Sequence, residues 1–368
     1  MNTTLVLAVY NKIDLTKKCY NRIREIYPTA PLVISSGGSF DETKGWGNNL
    51  NDEYTTFIHD DNRITFSETY NRAVDCVKTE KLVLIHNDMV IGKYFLENIE
   101  KLLTEDTILS YTTIEPPIFA DHIRLGKILL NMGNDFDDFN YQMFDKYVEE
   151  HKDDCKIYDG AVFFMSLYKK VFDDVGGFDG KTFIPTFCED YDFLLRAKLK
   201  GYKLKITECI ISYHFVSMTS RFSDEMKDNS QKYEINSNKN FVRKWGIPTH
   251  VLLSMGYLMK ENLKYERKTM CLVINDITLY TNYIFHLEPL FDKIKTSIDP
   301  QSFIDLESPL TNFDIKSKFE STDGCDIVVH INNQITNEDF DNIQRLRIIH
   351  SLYEKGKYKV GTLEVEIN

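Results

Sequence analysis

The residues best suited to chemistry fall in three short stretches, each following an apolar run or opening a helix. Asn87-Asp88 comes directly after the apolar run Lys81–His86. Asn-Asp is good turn chemistry, which is the plainer explanation of that dipeptide. A carboxylate just past a buried strand is also well placed for ligands, because open α/β sheets bind them beyond the carboxyl ends of their strands. The second stretch is Cys188-Glu189-Asp190-Tyr191-Asp192, with Arg196 further on. Acids at a helix start are favoured by the macrodipole, but the trio Glu189, Asp190 and Asp192 exceeds what capping requires. Adjacent like charges raise one pKa, which suits a general base. Asp190 is the candidate base with Glu189 beside it, and Asp192 with Arg196 reads as a structural pair at helical spacing. The third stretch is Tyr213-His214-Phe215, at the end of another apolar run. A lone His is more often a satisfied core residue than a ligand. The loop 217–220 behind it offers hydroxyls and backbone amides that suit a phosphate.

The elements that must position these groups alternate short β-branched runs with amphipathic segments, as an α/β layer fold does. Thr4–Val9 is a buried strand and Leu15–Ile26 a helix ending before Pro28. Pro31–Ser35 and Tyr54–His59 are further strands, and Phe66–Val77 is a helix with Ser67 as its N-cap. Lys81–His86 is a fully buried strand, followed by the helix Lys93–Leu103. From Ile118 to Tyr158 no clear strand is legible; the segment is acidic and aromatic, and its length fits a lid or specificity insert. Gly160–Met165 is a strand, Leu167–Val175 a short helix closed by Gly176-Gly177, and Asp190–Lys200 a helix ended by Gly201. Strands Lys203–Thr207 and Ile210–His214 follow. Residues 223–267 read as a helical connector. Residues 268–368 read as a small α/β module, with strands at Thr269–Asn275 and Asp326–Ile331 and a last strand-like run at Lys359–Ile367.

Composition narrows the classes. The chain has 368 residues, enough for two domains. Its formal net charge of -12 disfavours a nucleic-acid partner. Seven dispersed Cys without CxxC spacing fit reduced thiols in a cytoplasmic protein rather than a disulfide framework, and imply no zinc site. The apolar run Leu5–Tyr10 is too short for a signal peptide, and no stretch approaches the ~20 apolar residues of a membrane span.

The order of the pieces resembles the family 2 glycosyltransferases over about residues 3–220. Leu7-Ala-Val-Tyr-Asn11 is similar to that family's first strand, and Gly38-Ser39-Phe40-Asp41-Glu42-Thr43 to its GSxDxT loop. Asn71-Arg72-Ala73 is similar to its Asn-x-Ala. His86-Asn87-Asp88 stands where its DxD motif belongs. Gly176-Gly177-Phe178-Asp179 resembles its GGFD turn, Glu189-Asp190-Tyr191-Asp192 with Arg196 its EDxD…R segment, and His214 its late metal-site His.

That resemblance implies a GT-A fold, a mixed and mostly parallel sheet flanked by helices, over 1–222. It implies a nucleotide-diphosphate sugar as donor and a glycan or other hydroxyl as acceptor. Asp88 and His214 would hold Mn²⁺ or Mg²⁺ against the donor diphosphate. Val9, Tyr10, Asn11, Ser36, Asp41, Asp61, Asn71 and Asn87 would line the donor site. Asp190 would take the acceptor proton in a single, inverting displacement. Two departures stand out. His86 replaces the first acid of DxD, so metal ligation is expected to rest on Asp88. Ser35-Ser36-Gly37 stands where the family has its base-binding Asp, so that contact passes to Asp60 or Asp61, whose plainer explanation is a solvated turn.

Two rival classes remain. A nucleotidyltransferase shares the layer architecture but needs a Gly-rich basic loop after the first strand, and Tyr10-Asn11-Lys12-Ile13 is not one. A non-catalytic nucleotide-sugar-binding or scaffold protein is the other; the joint presence of Asp88, Asp190 and His214 argues against it.

Overall fold

The computed structural model describes residues 1–119, 124–216, 218, 228–260, 265–319 and 323–368. The chain divides into two compact units. Met1–Gly180 and Ile184–Tyr233 make up most of the first, and Lys181–Phe183, Glu234–Tyr257 and the residues from 265 onward most of the second.

The first unit holds strands β1 (Thr3–Val9), β2 (Leu32–Ser36), β3 (Thr55–His59), β4 (Lys81–Ile85), β5 (Met89–Ile91), β6 (Thr107–Glu115), β7 (Lys127–Leu129), β8 (Ile157–Asp159), β9 (Met165–Tyr168) and β10 (Lys203–His214). Its helices are α1 (Ile13–Ile26), α2 (Thr43–Asn48), α3 (Phe66–Asp75), α4 (Phe95–Leu102), α5 (Tyr141–His151), α6 (Lys169–Val175) and α7 (Glu189–Leu199). The strands form one mixed sheet in the order β3-β2-β1-β4-β9-β6-β10-β5. β1 is buried along its whole length and lies parallel between β2 and β4, with Leu5 opposite Leu32 and Leu7 opposite Ile85. β9 is antiparallel to both β4 and β6, so β6 points the same way as β4. β10 runs parallel to β6, and β5 antiparallel to β10. The carboxyl ends of β1, β2, β4, β6 and β10 therefore share one edge of the sheet.

The helices bury stripes at helical spacing. α1 turns Thr16, Cys19, Arg22 and Ile23 inward, and α3 does the same with Tyr70, Ala73 and Val74. Leu5, Leu7, Ile34, Ile85, Leu109 and Ile114 form the centre of the core beneath α1.

Several expectations are corrected. Thr65, not Ser67, caps α3: its hydroxyl accepts from the Glu68 amide, and the Glu68 side chain accepts from the Thr65 amide. That reciprocal box satisfies two helix-end donors at once, which a cap two residues later cannot do. The segment between Ile118 and Tyr158 contains β7, α5 and β8. The strand expected at Gly160–Met165 is Met165–Tyr168, because only there does the chain pair with β4 and β6. The two strands expected between Lys203 and His214 are one, with a register shift between Ile206 and Ile211 absorbing the interruption.

The cysteines are corrected too. Cys155 is bonded to Cys209 and Cys271 to Cys325, while Cys19, Cys76 and Cys188 are free. Pairing of Ile157 on β8 with Thr207 on β10 draws the first two together. The part of the cytoplasmic expectation that rested on reduced thiols loses that support. Among the described residues no helix is long and apolar enough to cross a membrane.

The second unit contains most of α8 (Ser230–Trp245), with α9 (Thr249–Ser254), α10 (Ile277–Leu287), α11 (Gln301–Glu307), α12 (Asn337–Ile349) and a second sheet. The strands of that sheet are β11 (Met270–Val273), β12 (Lys293–Lys295), β13 (Ile327–His330), β14 (Gly356–Val360) and β15 (Leu363–Ile367), in the order β12-β11-β13-β15-β14. The run expected as one strand at Lys359–Ile367 is the end of β14, a turn at Gly361-Thr362 and β15, which form a hairpin. Met270, Leu272, Ile327, Val329 and Leu346 form its core. Arg243 lies buried there against Glu288 and Glu307.

Candidate metal centre

Pairing of β5 with β10 sets His214 opposite Met89 and brings Asp88 beside it. The Phe215 amide donates to the Asp88 carbonyl at 3.0 Å, which locks the two segments together. His86, at the end of β4, completes the group. One ligand atom from each of His86, Asp88 and His214 lies within 4.8 Å of the other two. His214 Nε2 stands 3.4 Å and His86 Nδ1 3.9 Å from Asp88 Oδ1. Asp88 Oδ2 accepts from the Met218 amide at 3.2 Å. Among the described residues, Asp88 Oδ1 and His86 Nε2 are buried polar atoms with no hydrogen-bond partner. Such atoms are costly unless something else binds them. These three side chains could hold a divalent cation, and two imidazoles with one carboxylate suit Mn²⁺ better than the harder, oxygen-seeking Mg²⁺.

The charges around the centre are set by burial and by neighbours. Burial pushes the His86 ring down to about 4 against the pull of Asp88, so it is a neutral imidazole at pH 7. Burial opposes ionisation of Asp88, but His214 and His86 hold it at about 2. Burial also opposes a charged His214, yet Asp88 and Glu115 raise it to about 9. A cation binding here would displace the Nε2 proton.

Glu115 and Arg124 are site residues that sequence reasoning missed, and His86 is one it set aside. Glu115 ends β6 at the shared edge and accepts from His214 Nδ1 at 3.1 Å. Arg124 pairs with Glu115, and its guanidinium lies 4.9 Å from the Phe164 ring centroid. A carboxylate closing the β-branched run before Pro116-Pro117 was the available signal for Glu115.

Glu189 and Asp190 open α7. Phe187 and Cys188 before them both have positive φ, at 81° and 68°, a conformation disfavoured for side chains of this size. Glu189 is buried; Thr186 donates to its Oε1 at 3.0 Å, and its Oε2 has no hydrogen-bond partner among the described residues. Burial, then the charge of Asp190, raises Glu189 to about 8. Asp190 is half-buried; burial raises it to about 6, offset in part by backbone amides and by the charge of Arg124. Asp192 is fully buried and accepts from Arg196 Nε at 2.9 Å, while the Arg196 guanidinium also donates to the Val175 and Gly177 carbonyls. That pair secures the Gly176-Gly177 turn.

The remaining residues lie along the ends of β1 to β4. Val9 ends β1 opposite Ser36. The Tyr10 ring meets Phe40 edge-on at 6.2 Å, and the Arg63 guanidinium lies 4.7 Å from its centroid. Asn11, at φ 53°, donates its amide to Ser39 Oγ at 2.7 Å and accepts from the Phe40 amide at 2.9 Å. Ser36 Oγ donates to Ser39 Oγ at 2.9 Å and lies 3.0 Å from His59 Nδ1. Asp41 accepts from the amides of Ile13 and Thr43, each at 3.0 Å, and so ties the starts of α1 and α2 together. Asp61 is exposed on Lys44, and Asp60 pairs with Arg72. Asn71 clasps both backbone groups of Phe178, at 2.8 and 2.9 Å. Gly177, at φ +66°, leaves room for it: a Cβ there would sit 2.7 Å from Asn71 Oδ1. Asn87 donates to Thr16 Oγ1 at 3.1 Å, which fixes α1 to the β4 end. The loop 217–220 lies outside the described residues apart from Met218.

No family model matches the chain, and no curated protein matches it. Solved structures do. The chain is similar to the mannosyltransferase PcManGT from Pyrobaculum calidifontis, in complex with GDP-Man and Mn²⁺, at a TM-score of 0.46 and 14% identity over 70% of this chain and 69% of that one. It is also similar to GalNAc-T7 with UDP, GalNAc and Mn²⁺, at a TM-score of 0.42 and 12% identity, covering 58% of this chain and 42% of that one.

Proposed function

We propose that this protein is a metal-assisted glycosyltransferase of the GT-A type, related to family 2. On this reading it transfers a sugar from a nucleotide-diphosphate donor to an acceptor hydroxyl with inversion. The observation that carries the reading is the His86–Asp88–His214 group at the sheet's carboxyl edge, with Asp88 Oδ1 buried between the two imidazoles and accepting no hydrogen bond among the described residues. The motif order in the sequence supports it.

A divalent ion held by His86, Asp88 and His214 would neutralise charge developing on the leaving diphosphate. Asp190 accepts the proton of the acceptor hydroxyl as its oxygen bonds to the anomeric carbon and the bond to the donor phosphate breaks. The electron pair of that bond leaves with the diphosphate. Asp190, raised to about 6, is largely ionised at pH 7, whereas Glu189, raised to about 8, is largely protonated. Two adjacent carboxyls driven apart in this way support Asp190 over Glu189 as the base. Asn71, Asp192 and Arg196 hold the turn and helix that carry it.

A thermal-shift series with nucleoside diphosphates and nucleotide sugars, each with and without Mn²⁺, tests the reading. Selective stabilisation by one nucleotide, dependent on Mn²⁺, is the expected result. Stabilisation by none of them would remove the donor site. Slow Mn²⁺-dependent hydrolysis of the stabilising sugar nucleotide separates an enzyme from a binding protein.

A further inference from the structure

Glu115 gathers more partners than a surface carboxylate needs. Its Oε1 accepts from Thr113 Oγ1 and from His214 Nδ1, each at 3.1 Å, and from Arg124, while its Oε2 faces Lys127 Nζ at 3.4 Å. It is 4% exposed, at the last position of β6. The parallel register of β6 and β10 puts Ile114 opposite Tyr213, so the next residue on each strand is Glu115 and His214. Arg124 and Lys127 would satisfy the carboxylate by themselves, so the His214 contact is not needed to neutralise it.

We propose that Glu115 is the positioning residue of the metal centre, holding the His214 ring so that Nε2 faces Asp88 and the ion. This rests on the metal reading above. An ionised carboxylate can only accept a hydrogen bond, so Nδ1 must carry the hydrogen and Nε2 is left to ligate. The alternative ring orientation would turn Nδ1 toward Asp88 and break the contact with Glu115. Arg124 and Lys127 in turn prevent the carboxylate from swinging away. A carboxylate of this kind, bonded to the far nitrogen of a ligating histidine, orients the ring without touching the metal.

The test is a Mn²⁺ titration followed by the EPR signal of the free ion, on the wild-type chain and on Glu115→Gln, with unfolding temperatures recorded for both. Glu115→Gln keeps the shape and an acceptor oxygen but loses the charge that holds Arg124 and Lys127. Its Mn²⁺ affinity is expected to fall about 10–100-fold. A lower unfolding temperature with an unchanged Mn²⁺ affinity would make Glu115 merely structural and overturn the proposal. Absence of Mn²⁺ binding by the wild-type chain would overturn the metal reading and this proposal with it. A measurement on the unaltered chain covers the case in which the variant does not fold. In Zn²⁺-loaded protein, the ¹⁵N shifts of His214 should show hydrogen on Nδ1 and metal on Nε2. The reverse assignment overturns the proposal.

Discussion

The Nε2 atom of His214 stands 3.4 Å from Oδ1 of Asp88, and the antiparallel pairing of β5 with β10 holds it there. Neither residue reaches the other through a flexible loop. Asp88→Ala should therefore abolish Mn²⁺-dependent stabilisation by a nucleoside diphosphate without unfolding the sheet. At a ligand concentration of 100 times Kd, the stabilisation lost is about 2.7 kcal/mol. A variant that keeps its full metal-dependent shift would take Asp88 out of the centre.

Asp190→Asn keeps the shape of the side chain and removes its basicity. Transfer should fall by roughly 10²–10⁴-fold while donor and Mn²⁺ affinity stay within a few-fold of the parent. The pH profile supplies an independent check. A base must be deprotonated, so transfer in the parent rises as pH climbs through about 6 and levels off above it. Arg124 lowers the pKa of Asp190, so Arg124→Gln should move that rise to higher pH. An unmoved profile would dissociate Arg124 from the base, and full activity in Asp190→Asn would require the inverting mechanism to be withdrawn.

On the metal reading, His86 would give the centre a nitrogen ligand where an oxygen would favour a harder ion. In His86→Asp, the ratio of Mg²⁺-supported to Mn²⁺-supported donor hydrolysis should rise, because Mg²⁺ prefers all-oxygen coordination. An unchanged ratio would indicate that His86 does not reach the ion.

In the second unit, Arg243 is buried with Glu288, their shortest contact being 2.6 Å, and Lys318 bonds the same carboxylate at 2.6 Å. Glu288→Ala would leave two buried cations short of a counter-charge. Breaking a buried pair from one side costs about 3–5 kcal/mol, and the continuing contact of Arg243 with Glu307 puts the expectation at the lower end. Urea unfolding followed at Trp245 measures it. A loss under about 1 kcal/mol would mean that the network reorganises freely.

Asp52 joins α1 to β3. Burial raises its pKa, but hydrogen bonds from Thr55, the Tyr54 amide, Tyr20 and Arg24 outweigh that and hold it at about 2. A depressed carboxyl contributes stability at pH values above its unfolded pKa and loses it as pH falls through the folded value. The stability gap between the parent and Asp52→Asn should be constant above about pH 5 and close between pH 4 and pH 2. A gap that persists at pH 2 would assign the effect to packing.

Local information was legible without coordinates. The apolar runs of β1, β2 and β4 show in the sequence as buried strands, because a strand covered on both faces leaves a continuous hydrophobic record. The acidic start of α7 was legible because Glu189, Asp190 and Asp192 outnumber the capping needs of that helix. Asp192 and Arg196 were legible because their spacing puts them on one helix face.

Only the tertiary structure decided which groups meet. The sequence offered His86 as a departure from an acidic motif, and its place in the centre depends on how far β10 and β5 advance past the end of β4. Glu115 carried no local mark of a site, since its role comes from the register of β6 against β10. Asn71 clasps Phe178 because α3 packs beside that turn. Cys155 and Cys209 looked unpaired until β8 was laid against β10. In each case the deciding quantity is strand order or register, which arises from the simultaneous burial of segments far apart in the chain. Residue types and short-range spacing cannot encode it by themselves.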